Sequence, residues 1–145
     1  MYMKLSTKCR YGLRALIDLA IYSGGGHVAL HEIAARQNIS LKYLEQDFSV
    51  LRRAGLVKSV KGAQGGYLLA RPASTIRVGE IIETLEGDLL VIEIDQSEET
   101  DIRSFLSRGL WTTLNQNAAH SLNSLYLSDL VEFHLTHGSG EMFYI

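Results

Sequence analysis

Lys42, Gln46, Ser49 and Arg53 recur at intervals of four, three and four residues, so a helix through them carries all four on one face. Two cations, an amide and a hydroxyl on a single face are groups that bind phosphate oxygens and the edges of nucleotide bases. Tyr43 stands beside Lys42 and can meet a thymine methyl or a phosphate, while Gln46 suits an adenine edge. Arg52 and Arg53, with Lys8, Arg10 and Arg14 nearer the N-terminus, fit phosphates better than bases. Lys42 falls in the first turn of its helix, where the dipole disfavours a cation by roughly 0.3–1 kcal/mol. An anion docked there reverses that sign.

The elements that must position these side chains can be read around them. Ser40 is a natural N-cap and, at the start of this helix, a further candidate for DNA contact; Ile39 and Leu44 flank it at the two positions of a hydrophobic staple. Leu44, Phe48 and Leu51 form the inward stripe, and Gly55 stops the helix. Two short apolar segments then enclose Lys61-Gly-Ala-Gln-Gly-Gly66, a hairpin whose tip offers Lys61 and Gln64 to the same partner. Upstream, Ser6 or Thr7 opens a first helix with Leu13, Leu16, Ile17, Ala20 and Ile21 as its core stripe, and Gly24 to Gly26 end it. Val28 to Leu30 suit a short strand. A second helix carries Ile33 and Ala34 inward and closes at Asn38. Helix, three-residue turn and the Ser40 helix make a helix-turn-helix, whose second helix enters a major groove; the hairpin adds a wing.

Beyond Pro72 a further helix carries Val78, Ile81, Ile82 and Leu85 and stops at Gly87. Residues 88–101 read as a linker, apolar at first and then acidic. A helix over about 102–125 follows, with Ile102, Leu106, Leu110, Leu114, Ala118 and Leu122 along one stripe. At about 1.5 Å per residue it spans about 35 Å. Such a length beyond a head with its own core predicts packing against a second copy of the chain. A short helix from Leu127 to Leu135 comes next, and Gly138-Ser-Gly140 frees a last segment ending Met142-Phe-Tyr-Ile145. The expected architecture is mainly α with a small β wing: a winged helix-turn-helix at 1–87, a linker at 88–101, a dimerisation helix and C-terminal helix at 102–137, and a tail at 138–145.

Composition supports a DNA-directed reading through asymmetry, not through total charge. Net charge is only −2. Residues 1–77 hold 12 of the 14 Lys and Arg but only 4 of the 16 acids, a balance of +8, whereas residues 78–145 carry 2 bases and 12 acids, a balance of −10. This split points to a polyanion for the first half and keeps the second half away from it. With 46% apolar residues and 145 in all, the chain can bury a core of one domain with an appendage. It shows no apolar run that would span a membrane and no signal pattern, and one cysteine suits a reducing cytoplasm.

Other chemistries fare worse. Gly62 to Gly66 lack the Gly-Lys-Ser/Thr ending of a phosphate loop and lie between strands. His27 and His31 beside Glu32, and His134 and His137, have zinc-like spacing, but each pair is expected across an element boundary and no second cysteine helps, so no metal site is predicted. Cys9 lies between Lys8 and Arg10 at a helix start, an environment that lowers a thiol pKa. A thiol-based redox regulator using Cys9, or a metal sensor using the histidines, is therefore the rival reading. An enzyme is not supported, because no nucleophile–base–carboxylate set or cofactor fingerprint occurs.

Met3-Lys-Leu-Ser-Thr-Lys-Cys-Arg-Tyr11, Ile39-Ser-Leu-Lys-Tyr-Leu-Glu-Gln46, Arg53-Ala-Gly-Leu-Val57 and Val60-Lys-Gly-Ala-Gln-Gly-Gly-Tyr67 together resemble the small winged-helix transcription regulators of the Rrf-two family. The resemblance implies a homodimeric DNA-binding regulator, bound to double-stranded DNA at a palindromic operator and joined through the long helix. Many members hold an iron–sulfur cluster on three cysteines; residues 88–108 contain none here, so no iron–sulfur cluster is expected. The clusterless branch that represses cysteine-metabolism genes matches best. That branch works with cysteine synthase, which binds partner C-termini ending in isoleucine. Met142, Phe143, Tyr144 and Ile145 are thereby implicated as a docking tail.

Overall fold

The structure is a computed structural model, and the residues described are 5–89, 92, 94 and 101–137. Helix α1 runs Thr7–Tyr22 and is capped by Ser6, whose hydroxyl accepts from the Cys9 amide at 3.1 Å. Ser6 in turn donates its N–H and hydroxyl to the Glu86 carboxylate, which fastens the start of α1 to the end of α4 (Val78–Glu86). The fully buried face of α1 is Cys9, Gly12, Ala15, Leu16 and Leu19. Of the expected stripe, Leu16 is fully buried, Leu13, Ile17 and Ala20 are half-buried against the core, and Ile21 is half-buried. Helix α1 packs against four other helices, so its core face is set by tertiary neighbours and not by its most apolar side. Gly12 shows why. A methyl there would stand 2.5 Å from Leu85 Cδ1 and 3.3 Å from Asp47 Oδ2.

Helix α2 (Leu30–Gln37) ends on Asn38, which adopts the left-handed conformation at φ 54°. Leu30 already belongs to α2, so the strand expected at Val28 to Leu30 shrinks to one bridge, Val28 with Tyr67. Helix α3 (Leu41–Arg53) starts as expected, with Ser40 accepting from the Tyr43 amide at 3.1 Å, and it buries Leu44, Phe48 and Leu51. Gly55 at φ 80° turns the chain out, and the Leu56 amide closes on the Leu51 carbonyl at 3.0 Å. Strands β1 (Val57–Val60) and β2 (Gly66–Leu69) pair antiparallel, with Val57 opposite Leu69 and Val60 opposite Gly66. The wing is tied back to the head: Phe48 and Tyr67 rings lie 4.9 Å apart, and Gly66 admits the Val28 carbonyl where any Cβ would collide with it.

Helix α4 buries Val78, Ile81, Ile82 and Leu85 and stops at Gly87. The long helix begins as α5 (Asp101–Phe105), passes through a π-type segment (Leu106–Trp111) and continues as α6 (Thr112–Asn123). An uninterrupted α-helix over 102–125 was the expectation. The Thr112 hydroxyl donates to the Ser107 carbonyl five residues back at 2.5 Å, and Gly109 supplies no side chain to hold the regular pitch. Asn115 is buried and pairs with both backbone groups of Ile92, at 2.9 and 2.8 Å. Helix α7 (Leu127–His137) returns to the head through Leu127, fully buried, whose amide donates to the Ile76 carbonyl. It extends two residues beyond expectation, so His134 and His137 share one helix and do not straddle a boundary. The segment 138–145 lies outside the described residues.

Candidate nucleic-acid interface

Helix α3 and the first turn of α1 together form an open groove of about 520 Å³. Six of the residues singled out for DNA contact line it: Lys8 from α1, and Lys42, Tyr43, Gln46, Ser49 and Arg53 from α3. Lys42, Gln46 and Arg53 are exposed and Tyr43 is half-buried, its ring meeting Tyr11 of α1 edge-on at 5.3 Å. That contact packs the tyrosine against α1. Glu45 also lines a second hollow of about 580 Å³, between the N-terminal ends of α2 and α3 and the wing, where Lys61 stands. The two hollows therefore adjoin along α3, and the helix and the wing present a common face.

Two residues, one in the groove and one behind it, went unread in the sequence. Asp47 belongs to α3 and is fully buried, with neither carboxylate oxygen hydrogen-bonded. Burial pushes its carboxyl up to about 6, against a downward pull from Lys8. Tyr11 is the other, as the support for Tyr43. Asp47 did carry a signal, since it stands three residues after Leu44 and four before Leu51 on the inward stripe of α3, and it was passed over because it is charged.

Cys9 requires correction. The expectation of a cation-activated, accessible thiol fails because the side chain is buried beneath α1. Burial pushes the thiol up to about 11, and the Glu86 and Asp47 carboxylates push the same way. Such a thiol is a poor nucleophile at neutral pH.

Other candidates stand away from the groove. Arg14 donates to the Gln37 carbonyl at the C-terminal end of α2 and lies 5.4 Å from the Tyr11 ring centre. The Ser40 hydroxyl is engaged in capping α3. Arg10 and Arg52 are exposed on α1 and α3 outside the groove lining, and Gln64 is exposed at the wing tip, its carbonyl accepting from His27 Nε2 at 2.6 Å. Met142, Phe143, Tyr144 and Ile145 fall outside the described residues. A buried carboxylate missed in the sequence, Asp18, holds α2 to α1 through Arg36 at 2.7 Å and Gln37 at 2.9 Å.

Among the described residues no helix is long and apolar enough to cross a membrane. Likewise, no three His, Cys, Asp or Glu side chains among them converge on a point where a metal ion would sit. With Cys9 as the single cysteine of the chain, and buried, the donor set does not fit an iron–sulfur cluster.

Comparison with known proteins agrees with this geometry. Residues 5–133 match the family model Rrf2, described as an iron-dependent transcriptional regulator. The chain is 43% identical to the HTH-type transcriptional regulator CymR of Bacillus subtilis over 145 residues, covering 99% of this chain and 100% of that one. It is also 43% identical to the regulator IscR of Cereibacter sphaeroides over 136 residues, covering 90% and 88%. Among solved structures, that of CymR, the global cysteine regulator of B. subtilis, superposes with a TM-score of 0.79 at 42% identity, covering 90% of this chain and 98% of that chain. The IscR structure from T. potens gives 0.74 at 40% identity, covering 98% and 94%. These relatives are transcriptional regulators and not enzymes. With a basic face on the second helix of a helix-turn-helix, a wing beside it and a match over most of its length, the chain belongs to the Rrf2 family of DNA-binding transcriptional regulators.

Proposed function

We infer that the chain is a homodimeric repressor of cysteine and sulfur metabolism genes, acting at a palindromic operator. The observation that carries the DNA half is the convergence of Lys8, Lys42, Tyr43, Gln46, Ser49 and Arg53 in one groove along α3. In this reading α3 enters the major groove, with Gln46 and Tyr43 toward base edges and Ser49 beside them. Lys8, Arg10, Arg14, Arg52 and Arg53 neutralise phosphates, and Lys61 and Gln64 follow the minor groove from the wing. The apolar side chains exposed along the long helix, Ile102, Phe105, Leu110 and Leu114, are covered by a second copy.

The choice of regulon rests on two supports. CymR and IscR are equally identical to this chain, but the chain spans the whole of CymR and leaves 12% of IscR unmatched. A cluster-sensing regulator also needs several thiolates, and Cys9 is the single cysteine available. The regulator therefore works without a cofactor in the cytoplasm and takes its signal from cysteine synthase, which captures Met142 to Ile145. The thiol-sensing alternative loses its footing with the burial of Cys9.

One experiment addresses both halves. Selection from a random duplex pool is expected to return an inverted repeat, and purified cysteine synthase is expected to co-elute with the full chain. Deletion of residues 142–145 is expected to abolish co-elution and leave the dimer intact. A truncated chain that still co-elutes with the enzyme would overturn the tail as its docking point.

A further inference from the structure

Among the described residues, the buried side-chain polar atoms without a hydrogen bond are the two oxygens of Asp47. Buried carboxylates in folded proteins nearly always find partners. Asp18 of this same chain does, with Arg36 and Gln37. Asp47 differs in position as well: it lies in the floor of the groove on α3, beneath the cations assigned to phosphates. An unpaired carboxylate in that place opposes the binding of a polyanion. It calls for a functional account.

The groups around it are few. Helix α1 brings Lys8, and Cys9, whose thiol is held neutral by burial; α4 brings the apolar Leu85, with Glu86 nearby, bonded to Ser6. On α3 itself, Lys42, Tyr43, Glu45 and Arg53 ring the groove. Neither α2 nor β1, which also pack on α3, contributes a residue to its lining. Counting Lys8, Lys42 and Arg53 against Glu45 and Asp47, the groove carries a formal charge of +1 with Asp47 ionised and +2 with it protonated.

We propose that Asp47 couples proton uptake to DNA binding: a phosphate backbone seated in this groove converts its carboxylate to the neutral acid, so affinity for DNA rises with acidity. The proposal rests on the DNA-binding role inferred above. Two effects act with one sign. Phosphate charge over the groove disfavours a second anion, and Lys8 is drawn from the carboxylate toward a phosphate. One solvent proton adds to one carboxylate oxygen in each protomer, and it returns to solvent on release. The carboxyl of the free protein, already pushed up to about 6, lies close enough to neutrality for this step. The protein thereby becomes a regulator whose occupancy responds to cytoplasmic acidification.

The test uses the full chain and the short duplex that it selects from the random pool, with affinity followed by fluorescence anisotropy at fixed ionic strength. The wild-type protein is expected to bind on the order of tenfold more tightly at pH 6 than at pH 8. Asp47→Asn and Asp47→Leu are expected to retain less than about a threefold change over the same interval. The five histidines are present in all three proteins, so their titration cancels in the comparison. Calorimetry in two buffers of different ionisation heat counts the protons directly. The wild-type protein is expected to take up close to one more per protomer than either variant. Equal pH dependence and equal proton uptake in a variant that binds the duplex overturn the proposal while leaving the DNA-binding reading in place. Failure of the wild-type protein to bind any duplex overturns both. If Asp47→Asn does not fold, Asp47→Leu, which suits the apolar contact with Leu85, decides the matter.

Discussion

At the scale of single residues, Asp47 has a cost that shows without any DNA. In the unfolded chain its carboxyl titrates near the ordinary 3.8, whereas burial lifts it to about 6 in the folded protein. The folded state thus binds the proton more tightly, and stability falls as pH rises from about 4 to about 6 and stays lowered at neutral pH. A lift of this size, at ~1.4 kcal/mol per tenfold, corresponds to a penalty of about 3 kcal/mol for the ionised form. Asp47→Leu removes the charge and fills a site already bordered by Leu85 and Gly12. Its melting temperature is expected to exceed that of the wild type at pH 7.5, by several degrees, with the difference shrinking toward pH 5 where the wild-type carboxyl is protonated. Calorimetric melting across that range checks it; a gain that does not depend on pH would show that packing and not ionisation is responsible. Cys9 illustrates the same physics with no consequence for sensing. Its nearest sequence neighbours are cations, yet burial and two carboxylates decide its state.

At the scale of elements, helix and wing act as one reading head. Tyr67 packs on Phe48 of α3 and pairs through its backbone with Val28, so the hairpin cannot move freely from the helix. Arg53 at the end of α3 lines the groove on that helix, and Lys61 at the wing tip lines the hollow beside it. Replacing either with alanine is expected to weaken DNA binding and to reduce its salt dependence, by about 0.9 in log–log slope for each phosphate that is no longer neutralised. Anisotropy titrations at several salt concentrations measure this, and an unchanged slope would show that the residue does not meet a phosphate. These elements were legible because their signals are local: Ser40 before an apolar stripe, Gly55 and Asn38 after one, glycines between two short strands. What was not legible depends on distant partners. Gly12 lets the buried face of α1 come close to Leu85 and Asp47, an approach that depends on residues distant in the chain. The π-type segment at Leu106–Trp111 arises from a threonine hydroxyl five residues beyond a carbonyl, which periodicity alone does not register.

At the scale of the whole molecule, the charge split and the long helix serve one arrangement. In the proposed reading the basic first half faces DNA and the acidic second half is repelled from it, which leaves the long helix clear of the duplex and free to meet a partner copy. Ile102 and Phe105 are 77% and 72% exposed, and the apolar face continues with Leu110 inside the π-type segment and Leu114 beyond it. An apolar stripe on that scale is covered when two copies cross along it, and the pair then carries two reading heads at fixed spacing, as a palindrome requires. Replacing Ile102 and Phe105 together with glutamate places like charges at that crossing, while neither residue touches the core of the head. The variant is expected to elute as a folded monomer, with helical content preserved by circular dichroism and mass measured by light scattering. Its affinity for the selected duplex is expected to fall by roughly 10²- to 10⁴-fold, the contribution of linking two half-site interactions. Its affinity for a duplex carrying a single half-site should change little, because the groove of each head is untouched. If the double variant remains a dimer, the two copies meet on another surface, and the exposed stripe from Ile102 to Leu114 must serve a different partner.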